Sequence, residues 1–237
     1  MIANRVFLFL YAMKHVFTLL VCILIISSCK RKTDNEVRAI GREYYNEKIG
    51  SWIIYKVDSL VFSDFNQQTQ RIDTFQYQVK EVLAERFLNA VGNETNRIER
   101  FKRIHDTDEW RITNVWTTNI NNVSFEKVEE NARYVKMVFP VAENKYWNGN
   151  QYNLFPEWDY TFRNIKKPAT VNGNVFSNTI SVIQKDSTDN NFIEKRFAME
   201  IYASGIGMIY KQMDTVEVQN NIKKGLNYRQ SILDWSK

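Results

Sequence analysis

Apolar and polar residues alternate with a period of two through most of residues 51–213, and that pattern admits little besides strands with one face on a core. In SWIIYKVDSLVF (51–62), Ile53, Tyr55 and Val57 alternate with Trp52, Ile54 and Lys56, and Gly50 opens the run. DTFQYQVKEVL (73–83) puts Phe75, Tyr77 and Val79 on one face. RIERFKRI (97–104) is less regular: Ile98, Arg100 and Lys102 share one face, and Arg97, Glu99, Phe101 and Arg103 the other. EWRITNVWTTN (109–119) follows the turn-like HDTD, VSFEKVEE and ARYVKMVF join across Asn131, and Pro140 closes the second of these. EWDYTFRNI (157–165), NTISVIQKD (178–186), FIEKRFAMEIYA (192–203) and GIGMIYKQM (205–213) continue the series. Strands at roughly ten-residue spacing, joined by short polar stretches, are the rhythm of an antiparallel meander.

The joints are less decisive. SDFNQQTQ (63–70) reads as a polar loop, Asn148-Gly149 as a tight turn and Asn172-Gly173 as a hairpin turn. KEVLAERFLNAV (80–91) offers a helical face through Val82, Leu83, Phe87 and Val91. It also fits a strand running into a loop before Asn93, and its β-like flanks favour the strand. NNIKKGLNYRQSILDW (220–235) reads as a short closing helix or an edge strand. Gly205 and Gly207 read as a tight hairpin turn, the alternative being a close approach of backbone to a ligand. The fold class predicted is mainly β, an antiparallel meander curling into a half-barrel or barrel, with room for one short helix.

The amino terminus has a different logic. Lys14 and His15 precede VFTLLVCILII (16–26), an eleven-residue apolar block. A basic segment followed by 7–15 apolar residues is the pattern of a secretory signal. The block is too short to span a bilayer, which needs ~20 apolar residues. It ends in Ile26-Ser27-Ser28-Cys29, which resembles the bacterial lipobox: an aliphatic residue, two small ones, then the cysteine whose thiol takes the diacylglyceryl group. The reading is therefore a signal peptide over residues 1–28, lipidation at Cys29, a flexible tether over 29–42, and a single β-rich domain over 43–237. Val6 to Met13 forms a second apolar block; synthesis from Met13 makes MKHVFTLLVCILIISSC a complete signal by itself. Each acyl CH₂ buried in a membrane contributes ~0.8 kcal/mol, so more than one chain, palmitate for example, gives stable anchoring. The membrane, reached through those chains, is the one partner the sequence implies. Lys30, Arg31 and Lys32 follow Cys29 at once. They lie where anionic headgroups would attract them, at roughly 1 kcal/mol each, or simply begin a solvated linker. A basic rather than acidic run there favours an outer-membrane protein facing the periplasm, with the cell surface as the alternative.

Charge and cysteine content exclude several classes. The chain carries +5, and loss of Arg5 and Lys14 with the signal leaves about +3. Its cations alternate with acids, as in RIERFKRIHDTDE, which reads as a solvated strand face. A nucleic-acid surface would be a clustered basic stripe. Both cysteines, Cys22 and Cys29, fall in the signal or carry lipid. The domain is thus expected to hold neither a disulfide nor a thiol nucleophile.

Three phrases occur together: IGSWIIYKVDS (49–59), VKMVFPV leading into YWNGN (135–150), and EIYASGIGMIYKQ (200–212). In these the chain resembles an uncharacterised family of lipoproteins from Bacteroidetes-type bacteria, which open with a G-x-x-W-x-Y-x-V-D strand and finish with a Y-A-x-G-x-G-x-I-Y-K hairpin. The likeness spans most of residues 29–237. It implies a β-rich lipoprotein of a Gram-negative envelope and carries no activity with it.

No catalytic constellation converges. His105 is the sole histidine beyond the signal, beside Asp106, Asp108 and Glu109. A metal site wants more His or Cys ligands, or an ordered carboxylate loop, so HDTDEW reads as a solvated turn. No GxSxG elbow accompanies it. A nucleophile, a base and oxyanion donors are not found together. The expectation is a non-enzymatic protein without metal or cofactor, a binding or structural component of the envelope; the alternative is a carrier of an apolar ligand or glycan in a barrel-like pocket, and a hydrolase ranks last. Six tryptophans, Trp52, Trp110, Trp116, Trp147, Trp158 and Trp235, suit cross-strand packing. Trp147, between Tyr146 and Asn148-Gly149-Asn150, is expected to be the most exposed, and Trp147 and Tyr146 are the candidates for stacking on a ligand. Asp58-Ser59-Leu60, Asp186-Ser187-Thr188 and Asp214-Thr215-Val216 each resemble an O-glycan acceptor of the same bacterial group. A glycan demands an exposed hydroxyl, which ranks Ser187 first, Thr215 second and Ser59 third.

Overall fold

A computed structural model describes residues 41–65, 69–187, 194–219 and 221–237. Twelve strands form one antiparallel sheet: β1 (Trp52–Phe65), β2 (Thr69–Leu88), β3 (Glu94–Arg103), β4 (Arg111–Ile120), β5 (Ser124–Glu129), β6 (Ala132–Val138), β7 (Tyr146–Asn148), β8 (Asp159–Val171), β9 (Asn174–Asp186), β10 (Glu194–Ala203), β11 (Gly207–Gln219) and β12 (Ile222–Trp235). Their order is β6-β5-β4-β3-β2-β1-β12-β11-β10-β9-β8-β7. Consecutive strands pair except β6 and β7, which are the two ends of the sheet, and β1 pairs with β12 in the middle and so joins the two halves of the meander.

The sheet curls into a nearly closed barrel, and the sequence supplies the means. Bulges interrupt the register at Ile54/Tyr55, Leu83/Glu85, Arg100/Phe101, Phe125/Glu126 and Ala198/Met199, and each adds local bend and twist. The two ends of the sheet then meet. Val135 N–H on β6 donates to Gly149 O just after β7 (2.9 Å), Arg133 bridges to Tyr152, and the Trp147 indole N–H donates to Val135 O (2.8 Å). Gly149 belongs to this seam: an added Cβ would lie 2.2 Å from Cζ of Tyr160.

Tight turns with positive φ join several of the strands. Glu130 and Asn131 (φ 48° and 64°) link β5 to β6, and Asn172 and Gly173 (φ 48° and 79°) link β8 to β9. Positive φ at both central residues is the signature of a type I′ hairpin, and the second is the turn read from sequence. Gly205 (φ 75°) likewise lies in the turn between β10 and β11. Asn148-Gly149 opens a tight turn, as read from sequence, with Gln151 N–H donating to Asn148 O (3.4 Å); the turn leads out of β7 into the loop 149–158 before β8.

Three sequence readings need correction. The polar stretch 63–70 is strand where it is described: β1 runs to Phe65 and β2 begins at Thr69, and residues 66–68 lie outside the described residues. The closing stretch read over 220–235 gives neither a helix nor an edge strand in its described part: Ile222–Trp235 form β12, which sits between β1 and β11. Gly41 and Arg42, assigned to the tether, join the packed structure; Gly41 lies against Val141 and Phe139, and a single 3-10 turn (Arg42–Tyr44) follows. That turn spans the barrel. The Tyr44 hydroxyl donates to Asn178 on β9 (2.8 Å), and the Tyr45 hydroxyl shares a hydrogen bond with Thr118 on β4 (2.5 Å). The ambiguous stretch 80–91 is strand to Leu88, then a turn closed by Asn89.

Packing forms two main clusters. Tyr44, Phe125, Met137, Phe162, Ile180, Val182 and Tyr202 make one; Tyr55, Val171, Phe176, Ile209 and Ile232 make the other. Burying each such side chain contributes ~1.5–3 kcal/mol. Between these apolar masses the barrel interior is charged.

Candidate functional site: an ionic barrel interior

Register sets the charges in rows. Glu81 on β2 lies directly across from Arg100 on β3. Glu200 on β10 lies across from Lys211 on β11, and Lys211 across from Gln230 on β12. Lys127 and Glu129 share a face of β5 by their spacing of two. Closure of the barrel brings Lys136 on β6 to the same place.

The resulting network is continuous. Lys136 Nζ lies 3.0 Å from Glu200 and 3.3 Å from Glu129. Lys211 lies 3.4 Å from Glu200 and 3.7 Å from Glu129. Lys127 lies 3.5 Å from Glu129 and 3.3 Å from Glu81, and Arg100 lies 3.2 Å from Glu81. Arg100 and Lys127 both sit over the ring of Trp116, each 4.4 Å from its centroid. The Tyr202 hydroxyl donates to the second oxygen of Glu200 (2.5 Å).

Electrostatics hold Glu129, Glu200 and Lys136 in their charged forms. Burial alone would raise the Glu200 carboxyl, but Lys136 and Lys211 bring it down to about 2. The same contest, with Lys136, Lys211 and Lys127, holds Glu129 well below the usual carboxylate range. Burial would lower the Lys136 ammonium, but Glu129 and Glu200 outweigh it and hold it above its ordinary value. Burial, together with the Glu200 charge, keeps the Tyr202 phenol protonated.

Two cavities share Glu81, Lys127, Glu129 and Met208 in their walls. One has about 610 Å³ of empty space, counting its solvent-open part; Tyr45, Tyr55, Phe125 and Tyr202 also line it. The other has about 620 Å³ on the same measure, with Arg100, Trp116, Lys211, Tyr228 and Gln230 around it.

The residues singled out from sequence lie elsewhere. Cys29 falls outside the described residues. Trp147 is half-buried, packed on Phe162 (centroids 4.4 Å apart) and Tyr160, with its N–H satisfied at the seam, so its ring is part of barrel closure. Its neighbour Tyr146 is exposed. Ser187 is half-buried and donates to Arg196 O; Thr215 lies within β11 rather than beyond the last strand; Ser59 is buried and fails the exposure that a glycan requires. His105 sits in an exposed turn in which Asp108 accepts from its backbone N–H (2.9 Å). Among the described residues no group of three or more His, Cys, Asp or Glu side chains could hold a metal. The sequence reading of RIERFKRI as a solvated face is wrong for Arg100, which points its guanidinium to Glu81 and Trp116. The signal for the missed residues was present: Lys136 between Val135 and Met137, and Glu200 between Met199 and Ile201, are charges flanked on both sides by apolar residues.

No protein-family model matches the chain, and no curated protein matches it. Among solved structures, the chain is similar to a protein inferred to be exported, with a YmcC-like fold, from Bacteroides fragilis NCTC 9343. The alignment covers 81% of this chain and 98% of that one, at 10% identity and a TM-score of 0.43. It is also similar to an inferred lipoprotein from Parabacteroides distasonis ATCC 8503, over 81% of this chain and 98% of that one, at 9% identity and a TM-score of 0.40.

Proposed function

We propose that the protein is a lipid-anchored component of the bacterial envelope whose barrel interior binds a ligand without chemically transforming it. The observation that carries this reading is the ionic network set beside two cavities. An apolar interior of similar volume would be as stable or more so, because taking charges out of water costs several kcal/mol per ion. A barrel that keeps seven charges inside has a use for them beyond stability. That use is not proton transfer: a general acid or base works best with a pKa near the operating pH. Here the carboxyls of Glu129 and Glu200 are driven down and the Lys136 ammonium up. These are fixed charges, suited to recognition. Envelope location rests on the lipobox-like ISSC before Lys30, with the acyl chains on Cys29 reaching the membrane and the domain facing the periplasm.

Native mass spectrometry of the full protein, extracted in mild detergent from its own envelope, tests the reading. A discrete small molecule that survives extraction and dissociates on activation is expected. A spectrum holding only the lipidated chain, under conditions where a control envelope binder keeps its ligand, would overturn it in favour of a purely structural role.

A further inference from the structure

We infer that the barrel interior selects an organic oxyanion, a carboxylate or phosphate monoester with an apolar or aromatic body, seated against Arg100, Lys211, Gln230 and Trp116. The inference rests on the reading of the interior as a binding site and specifies the chemistry of its ligand.

Two independent observations carry it. The first is charge. The network holds four cations, Arg100, Lys127, Lys136 and Lys211, against three carboxylates, Glu81, Glu129 and Glu200. One positive charge is left over inside the barrel, where a missing counter-charge is costly. A monoanionic ligand supplies it.

The second is an orphaned donor. Gln230 is 2% exposed and lines the same cavity as Arg100 and Lys211. Its Oε1 accepts from the Tyr228 hydroxyl (2.7 Å) and from Arg100 (3.4 Å), which fixes the orientation of the amide. Nε2 is therefore a donor, and it has no partner among the described residues. A buried donor without an acceptor is costly, and an oxyanion in the adjoining cavity supplies one. The remaining wall accounts for the ligand's body. Trp116 offers a ring, and Met208, Met213 and Leu226 offer apolar surface.

The lipidated full-length protein in non-ionic detergent can be titrated with four small soluble probes: 4-fluorobenzoate, 4-fluorophenyl phosphate, 4-fluorobenzyl alcohol and 4-fluorobenzylammonium, read by ¹⁹F line broadening. At least one oxyanion should bind tenfold or more tightly than the alcohol, with the ammonium weakest. The tighter of the two oxyanions tells carboxylate from phosphate. Lys211→Met and Gln230→Leu should each weaken the oxyanion about tenfold, and Lys224→Met, on the exposed part of β12, should change nothing. Thermal unfolding confirms that each variant folds; if Gln230→Leu does not, Tyr228→Phe removes the hydroxyl bonded to Gln230 in its place. Equal binding of oxyanion and alcohol, or an unchanged oxyanion affinity in Lys211→Met, would overturn the oxyanion selectivity and leave the interior a binding site of other chemistry. Failure of all four probes, joined with an empty native spectrum, would overturn both readings.

Discussion

Lys136 and Glu200 are 64 residues apart in the chain, yet Nζ of the first lies 3.0 Å from Oε1 of the second, with side chains only 4% and 1% exposed. The pair reaches across the barrel from β6 to β10, so it exists only when the sheet has closed. Removing one member of a buried pair leaves the other uncompensated, at ~3–5 kcal/mol.

Lys136→Met should therefore destabilise the protein by about 3 kcal/mol in urea unfolding. Lys136→Met combined with Glu200→Gln should cost clearly less than the sum of the two single changes, because neither charge is then stranded. Strict additivity would show that the two groups do not meet in solution.

The same network sets the response to pH. Glu200 is depressed to about 2 and Glu129 well below its ordinary value of 4.5. Below 4.5 the unfolded chain binds protons that the folded chain refuses, so the stabilisation is complete above that pH and is lost as pH falls toward 2. The Lys136 ammonium, raised above its ordinary 10.5, behaves oppositely: its contribution is whole below 10.5 and fades at higher pH. A stability plateau from about pH 5 to 10 follows, with an acid limb that Glu200→Gln makes shallower. Urea midpoints measured against pH check this; an unchanged acid limb in Glu200→Gln would contradict it.

Gly149→Ala tests the seam. The added methyl meets the Tyr160 ring and forces apart the segment whose carbonyl accepts from Val135. Overpacking of this kind costs ~1–3 kcal/mol. The thermal midpoint should fall, and an unchanged midpoint would mean that the seam is open in solution.

Cys29→Ser tests the anchor. Metabolic acyl labelling should disappear, and the precursor should accumulate uncut, since both steps need the thiol. Labelling that persists would place the lipid elsewhere.

Much of the sheet was legible because its strands pack on apolar clusters. In β1, Tyr55 and Val57 flank Lys56, which is on the opposite face, and are buried, and the period of two showed it. The Asn172-Gly173 turn was legible because its backbone needs positive φ. β12 was misread for a physical reason: its inward side chains are Leu226, Tyr228 and Gln230 as well as Ile232. Gln230 breaks the apolar row on that face, and Lys223, Lys224 and Gly225 near the start of the strand are polar or small, so it imitates an edge. The site was hidden for the same reason. Lys136 and Glu200 each stand out between two apolar neighbours, but nothing local pairs residues so far apart; closure of the barrel does. Ranking Trp147 as exposed followed from its turn-rich neighbours, whereas those neighbours fold back as the seam.

The most direct measurement is an experimental structure of the protein purified from its own envelope. The account predicts non-protein density inside the barrel, in contact with Arg100 and Lys211 and beside the Trp116 ring, with Gln230 Nε2 donating to it. A barrel whose interior holds only water, with Lys211 turned out to solvent and Gln230 bonded to protein alone, would contradict it.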